Sequence, residues 1–177
     1  RQDEWVSWYN DYWLEGVRSG TWDQFIQVHA DCVVNPEAIN TYLKVINERT
    51  DCGWVGSLGA ARGGGYLTAW EWRVPNPVEA YESAFRSARD IKIVEGGLGG
   101  MIPVTRIPTE NPFRCAFVGT CFMINGRVIR DGCRFAKWYE EIAFPFAVDM
   151  MRRGYYGYCA KESRMVHIIG DGSEQKL

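Results

Sequence analysis

The first part of the chain has apolar side chains at helical spacing. They recur at steps of three and four residues: Trp5, Trp8, Tyr9, Tyr12, Trp13 and Val17. This period is typical of one face of a helix, so we predict a helix over 3–18. Ser19-Gly20 would end it, because glycine readily adopts the left-handed conformation that helix ends need.

A second helix is predicted from Thr21 to about Ala30. Thr21 and Gln24 have the spacing of a capping box, in which two side chains bond the free amides at a helix start. Its inner face would carry Trp22, Phe25, Ile26 and His29. Cys32–Val34 is short and β-branched, which indicates a strand. A third helix is expected over 36–49, since Pro36 suits a first helical turn.

The middle of the chain is predicted to be a glycine-rich loop over 51–65 and then a strand over 66–74. Alternate strand residues face opposite sides, so Trp70 and Trp72 would share one face and Glu71 the other. Further elements are expected in order: a helix over 77–89, a strand over 91–94 and an extended segment over 101–107.

The C-terminal part, from Phe113 onward, has a β-like pattern. Asn125-Gly126 is typical of a two-residue hairpin turn, in which both central residues need a positive φ. We therefore predict an antiparallel meander that turns there and again at Asp131-Gly132. The elements around these turns would be strands over 114–124, 127–130 and 133–139, a helix over 140–153 kinked at Pro145, a short apolar piece over 165–169, and a frayed end.

These elements predict a single α+β domain over 1–177. The length suits one domain, and 46% hydrophobic with 24% charged residues allows a sizeable core. A net charge of −2 argues against nucleic acid as the main partner, because phosphate binding needs a basic surface. No stretch approaches the ~20 apolar residues of a membrane span. The chain starts at Arg1 without a methionine, which is consistent with the removal of a targeting segment, a tag or another upstream segment, so no compartment is predicted.

Metal and cofactor sites are not expected. The chain has two histidines, and its six cysteines form no CxxC pair, so a zinc site is not predicted. Six cysteines could form up to three disulfides, but their wide spacings favour free, buried thiols. The eight Trp, nine Tyr and eight Phe indicate either a large aromatic core or a pocket or interface lined by rings.

Residues 8–36 resemble the opening of the nuclear transport factor 2-like superfamily, which includes SnoaL-like cyclases and ketosteroid isomerases. The matching segments are a helix around Tyr9–Val17, the run Ser19–Asp23 and the run His29–Val34. The resemblance implies a cone-shaped, curved antiparallel sheet that packs against N-terminal helices and encloses an apolar pocket. Residues 39–72 would then be an insertion, and 140–177 a C-terminal helix and tail.

The catalytic pattern of the isomerases is not kept in this chain. Trp13 stands where they have a tyrosine of the first helix, and Asn35-Pro36 stands where they have Asp-Pro. An asparagine cannot take up a proton as a carboxylate does, so isomerase chemistry would need other groups.

Seven residues are candidates for a site. His29, Asp31 and Glu71 are the proton-transfer candidates, since a histidine titrates near neutral pH and a carboxylate in an apolar pocket has a raised pKa. The alternatives are a core histidine and a Glu-Arg pair on the sheet surface, and we favour both. The substrate-binding candidates, for which ordinary packing is the alternative, are Tyr9, Tyr12, Trp13 and Trp70.

Two functions are consistent with these residues and this fold. The first is a cofactor-free isomerase, dehydratase or cyclase that acts on a small hydrophobic molecule in an aromatic-lined pocket. The second is a non-catalytic ligand-binding or protein-interaction subunit of a larger assembly with the same fold, and a homo-oligomer suits either. An enzyme should have an enclosed pocket with a polar floor, whereas an interaction subunit should have a filled sheet and an exposed aromatic patch.

Overall fold

The computed structural model describes residues 2–59, 68–72, 76, 78–79, 101–119, 121–136, 143–168 and 174–175. These residues form helices and a mostly antiparallel sheet, which confirms the predicted α+β class. The predicted helix over 77–89, apart from 78–79, and the predicted strand over 91–94 lie outside the described residues.

The predicted first helix is confirmed, with one irregularity. It consists of α1 (Gln2–Ser7), a π-helical segment (Trp8–Trp13) and α2 (Glu15–Arg18). Gly20 ends it with a φ of 81°, a conformation that glycine adopts without steric cost.

The predicted second helix is wrong, because Gln24–Val28 is a strand, β1. The Gln24 side chain does not cap a helix; its Oε1 accepts a hydrogen bond from the Gly126 amide at 2.8 Å. The Thr21 hydroxyl lies 3.1 Å from that of Ser19 instead. The capping-box spacing is therefore present without the helix, and pairing with a distant strand decides the local structure.

The next two elements are confirmed. β2 is Cys32–Val34, and α3 is Glu37–Glu48, with Pro36 at its N-cap. The predicted loop over 51–65 is wrong for Cys52–Leu58, which is β3, and every residue of this strand is buried. Its glycines serve close packing, since a Cβ on Gly56 would lie 2.6 Å from Val118 Cγ1.

A small three-stranded sheet confirms the central residues of the strand predicted over 66–74 and the first residues of the extended segment predicted over 101–107. It consists of β4 (Ala69–Trp72), β5 (Met101–Pro103) and β7 (Phe117–Val118), in the order β5-β4-β7. The predicted continuous strand over 114–124 is interrupted. It is divided into β6 (Phe113–Cys115), β7 and β8 (Cys121–Asn125).

The predicted hairpin at Asn125-Gly126 is wrong. Asn125 has a φ of −65° and caps a helix, α4 (Gly126–Arg130), where its side chain accepts a hydrogen bond from the Arg127 amide at 3.0 Å. Gly126 is required for a different reason, because a Cβ there would collide with the Asp23 carbonyl oxygen. The return strand over 127–130 is therefore a helix. The turn at Asp131-Gly132 is confirmed, and 133–136 is not a strand.

The C-terminal part is a helix and a long strand. The predicted helix over 140–153 is confirmed for α5 (Ala143–Arg152), in which Pro145 is the third residue, and 140–142 lie outside the described residues. Tyr156–Ile168 forms β9, followed by β10 (Glu174–Gln175). The short apolar piece predicted over 165–169 belongs to this longer strand, and the sequence analysis predicted no strand over 156–164.

The larger sheet has the order β1-β8-β3-β9-β10. β2 and β6 also pair with β9, so this strand has four neighbours among the described strands. β3 and β9 run parallel, whereas β1 with β8 and β3 with β8 run antiparallel. The described strands do not form a closed sheet.

Helices cover both faces of this sheet. Alternate residues of β3 point into different clusters: Trp54 packs with α5 and the N-terminal helices, and Val55 packs with α3. Ile124 and Met123 of β8 divide in the same way. Both faces of the sheet are therefore filled by side chains.

A chain of buried hydroxyl groups joins α3 to the two central strands. Tyr42 of α3 hydrogen-bonds Ser57 of β3, and Ser57 Oγ lies 2.6 Å from Ser163 Oγ of β9. All three residues are buried. Because buried polar groups are costly unless they are paired, this link fixes the helix on the sheet.

No helix among the described residues has the length and apolar character needed to cross a membrane.

The six cysteines are free thiols, which confirms that expectation. Five are buried, and Cys32 is half-buried. Burial raises the pKa of Cys52 to about 12 and that of Cys133 to about 12. Burial also raises the pKa of the other three, Cys115, Cys121 and Cys159.

Gly157→Ala should destabilise the protein by about 1–3 kcal/mol, the usual range for overpacking a core. A Cβ at Gly157 would collide with Trp54 Nε1 and lie 2.8 Å from the Cys115 carbonyl oxygen. Gly119→Ala is the control, since its Cβ would have an ordinary contact at 3.7 Å, and we expect a change within about 0.5 kcal/mol. Chemical denaturation measures both. Equal stabilities of the two variants would contradict the close packing of Trp54 on Gly157.

Thiol titration with Ellman's reagent at pH 8 should modify at most one cysteine quickly in the native protein and all six after unfolding. The thiolate is the reactive form, and the raised pKa values keep the buried thiols protonated at this pH. Cys32→Ser should remove the fast phase. Rapid modification of two or more thiols in the folded protein would contradict this burial pattern.

Candidate functional site

An open groove of about 760 Å³ lies between the N-terminal helical segment and β1. Seven of its ten lining residues are aromatic or aliphatic. The aromatic members are Tyr9, Trp13, Trp22 and Phe25, and the remaining members belong to the run 26–31.

The aromatic wall is built by side chains from two elements. Tyr9 and Trp13 are four residues apart on the helical segment, and their ring centroids are 4.8 Å apart in an edge-to-face arrangement. Trp13 stacks on Phe25 of β1 at 6.0 Å. These contacts hold the helical segment against the strand and give the groove a continuous apolar side.

Trp22 completes the wall because residue 16 is a glycine. Its ring rests on the backbone of Gly16, where a Cβ would lie 2.7 Å from Trp22 Cδ2. The ring is nevertheless 54% exposed. Trp22 therefore presents a large apolar surface to the groove.

Tyr9 forms the inner part of the groove. The residue is buried, and its hydroxyl donates a hydrogen bond to Gln27 Oε1 at 2.7 Å. Burial raises the pKa of Tyr9, so the hydroxyl stays neutral at physiological pH. The bond orients the Gln27 amide on the same side of β1 as Phe25.

His29 and Asp31 lie in the turn between β1 and β2 and both line the groove. The backbone fixes this turn: the His29 carbonyl accepts from the Cys32 amide at 3.0 Å, and the Asp31 carbonyl accepts from the Ile168 amide at 2.8 Å. The prediction that His29 lies on the inner face of a helix is wrong, since no helix forms there and the residue is exposed. Being outside a helix, both side chains can reach one groove.

The other three predicted site residues are not among the residues that line the groove. Tyr12 is 69% exposed on the π-helical segment. Trp70 and Glu71 belong to β4 in the small sheet, where Trp70 packs against Ala116 and Val148 and Glu71 is exposed. Their opposite orientations are as predicted, and a site shared by Glu71 and His29 is not formed by the described residues.

Sequence reasoning missed the contribution of the strand. Ile26 and Val28 are 37% and 45% exposed, whereas Phe25 and Gln27 face Tyr9. The β-branched Ile26 and Val28 are the local signal for a strand, and the capping-box spacing outweighs it.

No group of three or more His, Cys, Asp or Glu side chains that could hold a metal ion occurs in the described part of the chain. No protein-family model matches the chain, and no curated protein is significantly similar to it in sequence.

Proposed function

We propose that the chain binds a small hydrophobic ligand in this groove and acts as a ligand-binding or interaction subunit. The observation that supports this most is the aromatic wall of Tyr9, Trp13, Trp22 and Phe25 beside an open space. Rings supply much contact area at little conformational cost. A volume of about 760 Å³ is in the usual range of small-molecule sites.

Exposed apolar surface around the groove also supports a binding role. Trp22, Ile26 and Val28 are each more than one-third exposed and line the same space. Contiguous apolar patches on a protein surface commonly mark sites of interaction. Both faces of the central sheet are filled by side chains, so this groove is a better candidate for the ligand site than a pocket inside the sheet. Assembly into a homo-oligomer or a larger complex stays a proposal.

The cone-shaped sheet and the relation to the nuclear transport factor 2-like superfamily also stay proposals. The helix before Gly20 and the strand Cys32–Val34 lie where that resemblance expects them. Gln24–Val28 is a strand where the resemblance expects a helix.

The second candidate function is a cofactor-free isomerase, dehydratase or cyclase. The presence of His29 and Asp31 in one groove favours it. In this function the His29 imidazole would take a proton from one carbon of the ligand and return it to another, and the Asp31 carboxylate would stabilise the imidazolium that forms between the two steps.

Trp22→Ala should weaken the binding of Nile red, a neutral hydrophobic dye, at least tenfold, because the variant removes a wall of the groove. Gly16→Ala should weaken it as well, since the added Cβ displaces the Trp22 ring while keeping it in the chain. Dye fluorescence titrations measure both affinities.

Trp8→Ala is the matched control for this experiment. Trp8 is 55% exposed, nearly the same as Trp22, but it is not among the lining residues. Its variant should keep the wild-type affinity. If Trp8→Ala and Trp22→Ala weakened the binding equally, the dye would not bind in the groove and the proposal would fail.

The enzyme candidate is tested by solvent-deuterium exchange. A ligand obtained by organic extraction of the purified protein and identified by mass spectrometry is returned to the protein in D₂O. Proton transfer would replace a carbon-bound hydrogen with deuterium, and His29→Gln or Asp31→Asn should slow this replacement at least 100-fold. If the ligand gains no deuterium above the buffer rate, the enzyme candidate fails and binding is the only proposed role that remains.

A further inference from the structure

We propose that the groove binds an extended peptide segment that carries Lys or Arg among apolar residues and pairs with the edge of β1 opposite β8. This inference rests on the proposed binding and interaction role of the groove, and it adds a peptide of defined chemistry to the small hydrophobic ligands proposed above.

The first argument is the way in which β1 lines the groove. Residues 25–31 line it without interruption. Successive side chains of a strand point to opposite faces, so a groove on one face would be lined by every second residue. An unbroken run indicates that the groove follows the edge of the strand, where the backbone is accessible from both sides.

The second argument is the hydrogen-bonding capacity of that edge. β1 is the terminal strand of the sheet order and pairs, among the described residues, with β8 alone. Alternate backbone N–H and C=O groups of an edge strand point away from the sheet and match the spacing of another strand. An extended peptide supplies this pattern of donors and acceptors, as in other cases of strand addition to a sheet edge.

The third argument is that β1 lacks the usual protection of an edge strand. Its sequence, Gln24–Val28, contains no charged residue and no proline, and Ile26 and Val28 are exposed. Edge strands commonly carry lysine, proline or a bulge that prevents pairing. A strand whose own sequence lacks these blocking residues, beside an aromatic wall, is suited to pairing with a second strand.

The charge of the N-terminal segment, which supplies all the lining residues of the groove, specifies the side chains of the peptide. Residues 2–36 contain six acidic side chains and a single basic one, Arg18, a net charge of −5, whereas the whole chain has −2. Arg18 is engaged by Glu15 at 2.6 Å. Asp23 and Asp31 flank the two ends of β1. Acidic flanks favour a basic partner, and exposed Trp rings attract Lys and Arg by cation–π contact.

The experiment uses three synthetic hexapeptides and the whole chain. The first alternates Lys and Val, with blocked ends. The second has the same sequence with N-methyl groups on alternate residues, which removes the strand-pairing amides and keeps the side chains. The third alternates Glu and Val. We expect the Lys-Val peptide to quench groove tryptophan fluorescence and to protect alternate β1 amides from hydrogen exchange, and we expect the other two to bind at least tenfold more weakly.

Two substitutions at Ile26 provide the matched test in the protein. Ile26→Lys and Ile26→Glu remove the same apolar side chain from a position that is already 37% exposed, so both variants should fold. Ile26→Lys should weaken binding of the Lys-Val peptide at least tenfold more than Ile26→Glu does, because the new lysine repels the lysines of the peptide. Circular dichroism checks the fold of both.

Several outcomes would overturn the inference. Equal affinity of the N-methylated peptide would exclude strand pairing, and equal affinity of the Glu-Val peptide would exclude the charge preference. Protection of β1 amides that depends on protein concentration without peptide would show that a second copy of the chain occupies the edge. Binding of Nile red without binding of any peptide would overturn this inference and leave the proposed function intact.

Discussion

The parallel pairing of β3 with β9 is the constraint on which the rest of the structure depends. β3 has β8 on its other side, and β9 also pairs with β2, β6 and β10. The pairing brings the Trp54 side chain directly against Gly157, where no larger residue fits. The same pair carries Ser57 and Ser163, which bond to each other and anchor α3 through Tyr42. These two strands therefore fix the positions of the helices on both faces and of the neighbouring strands.

Local patterns were sufficient to predict some elements. The helical period over 3–18, the β-branched Cys32–Val34 and the proline before α3 each specify an element whose structure is decided by near neighbours. Turn chemistry was also sufficient at Gly20 and Gly132, which both have a positive φ.

Distant contacts decided the elements that were predicted incorrectly. Gln24 and Gly126 carry familiar local signals, yet they bond each other across about one hundred residues and so fit a strand and a helix start. β9 was hidden for a related reason. Its register against β3 skips from Ala160 to Arg164 while β3 advances by one residue, so the polar residues between them interrupt the apolar pattern without ending the strand.

The candidate site was predictable in part for the same physical reason. Tyr9, Trp13, His29 and Asp31 were selected by residue type, and all four line the groove. The sequence places their partners Trp22 and Ile26 on a buried helix face, because the capping-box spacing favours a helix and the pairing with β8 is not visible in the local sequence. The groove forms because of that long-range pairing, and a local sequence pattern shows only one of the two paired strands.

The contacts that hold the groove have a consequence for synthesis of the protein. The Asn10 side chain bonds both backbone groups of Phe135, and β2 pairs with residues 165–167 of β9. On the ribosome, the aromatic N-terminal segment therefore emerges well before the strands and loops that support it. Contacts this far apart along the chain also slow folding. The nascent chain must carry its exposed aromatic surface without these supports until translation has passed the end of β9.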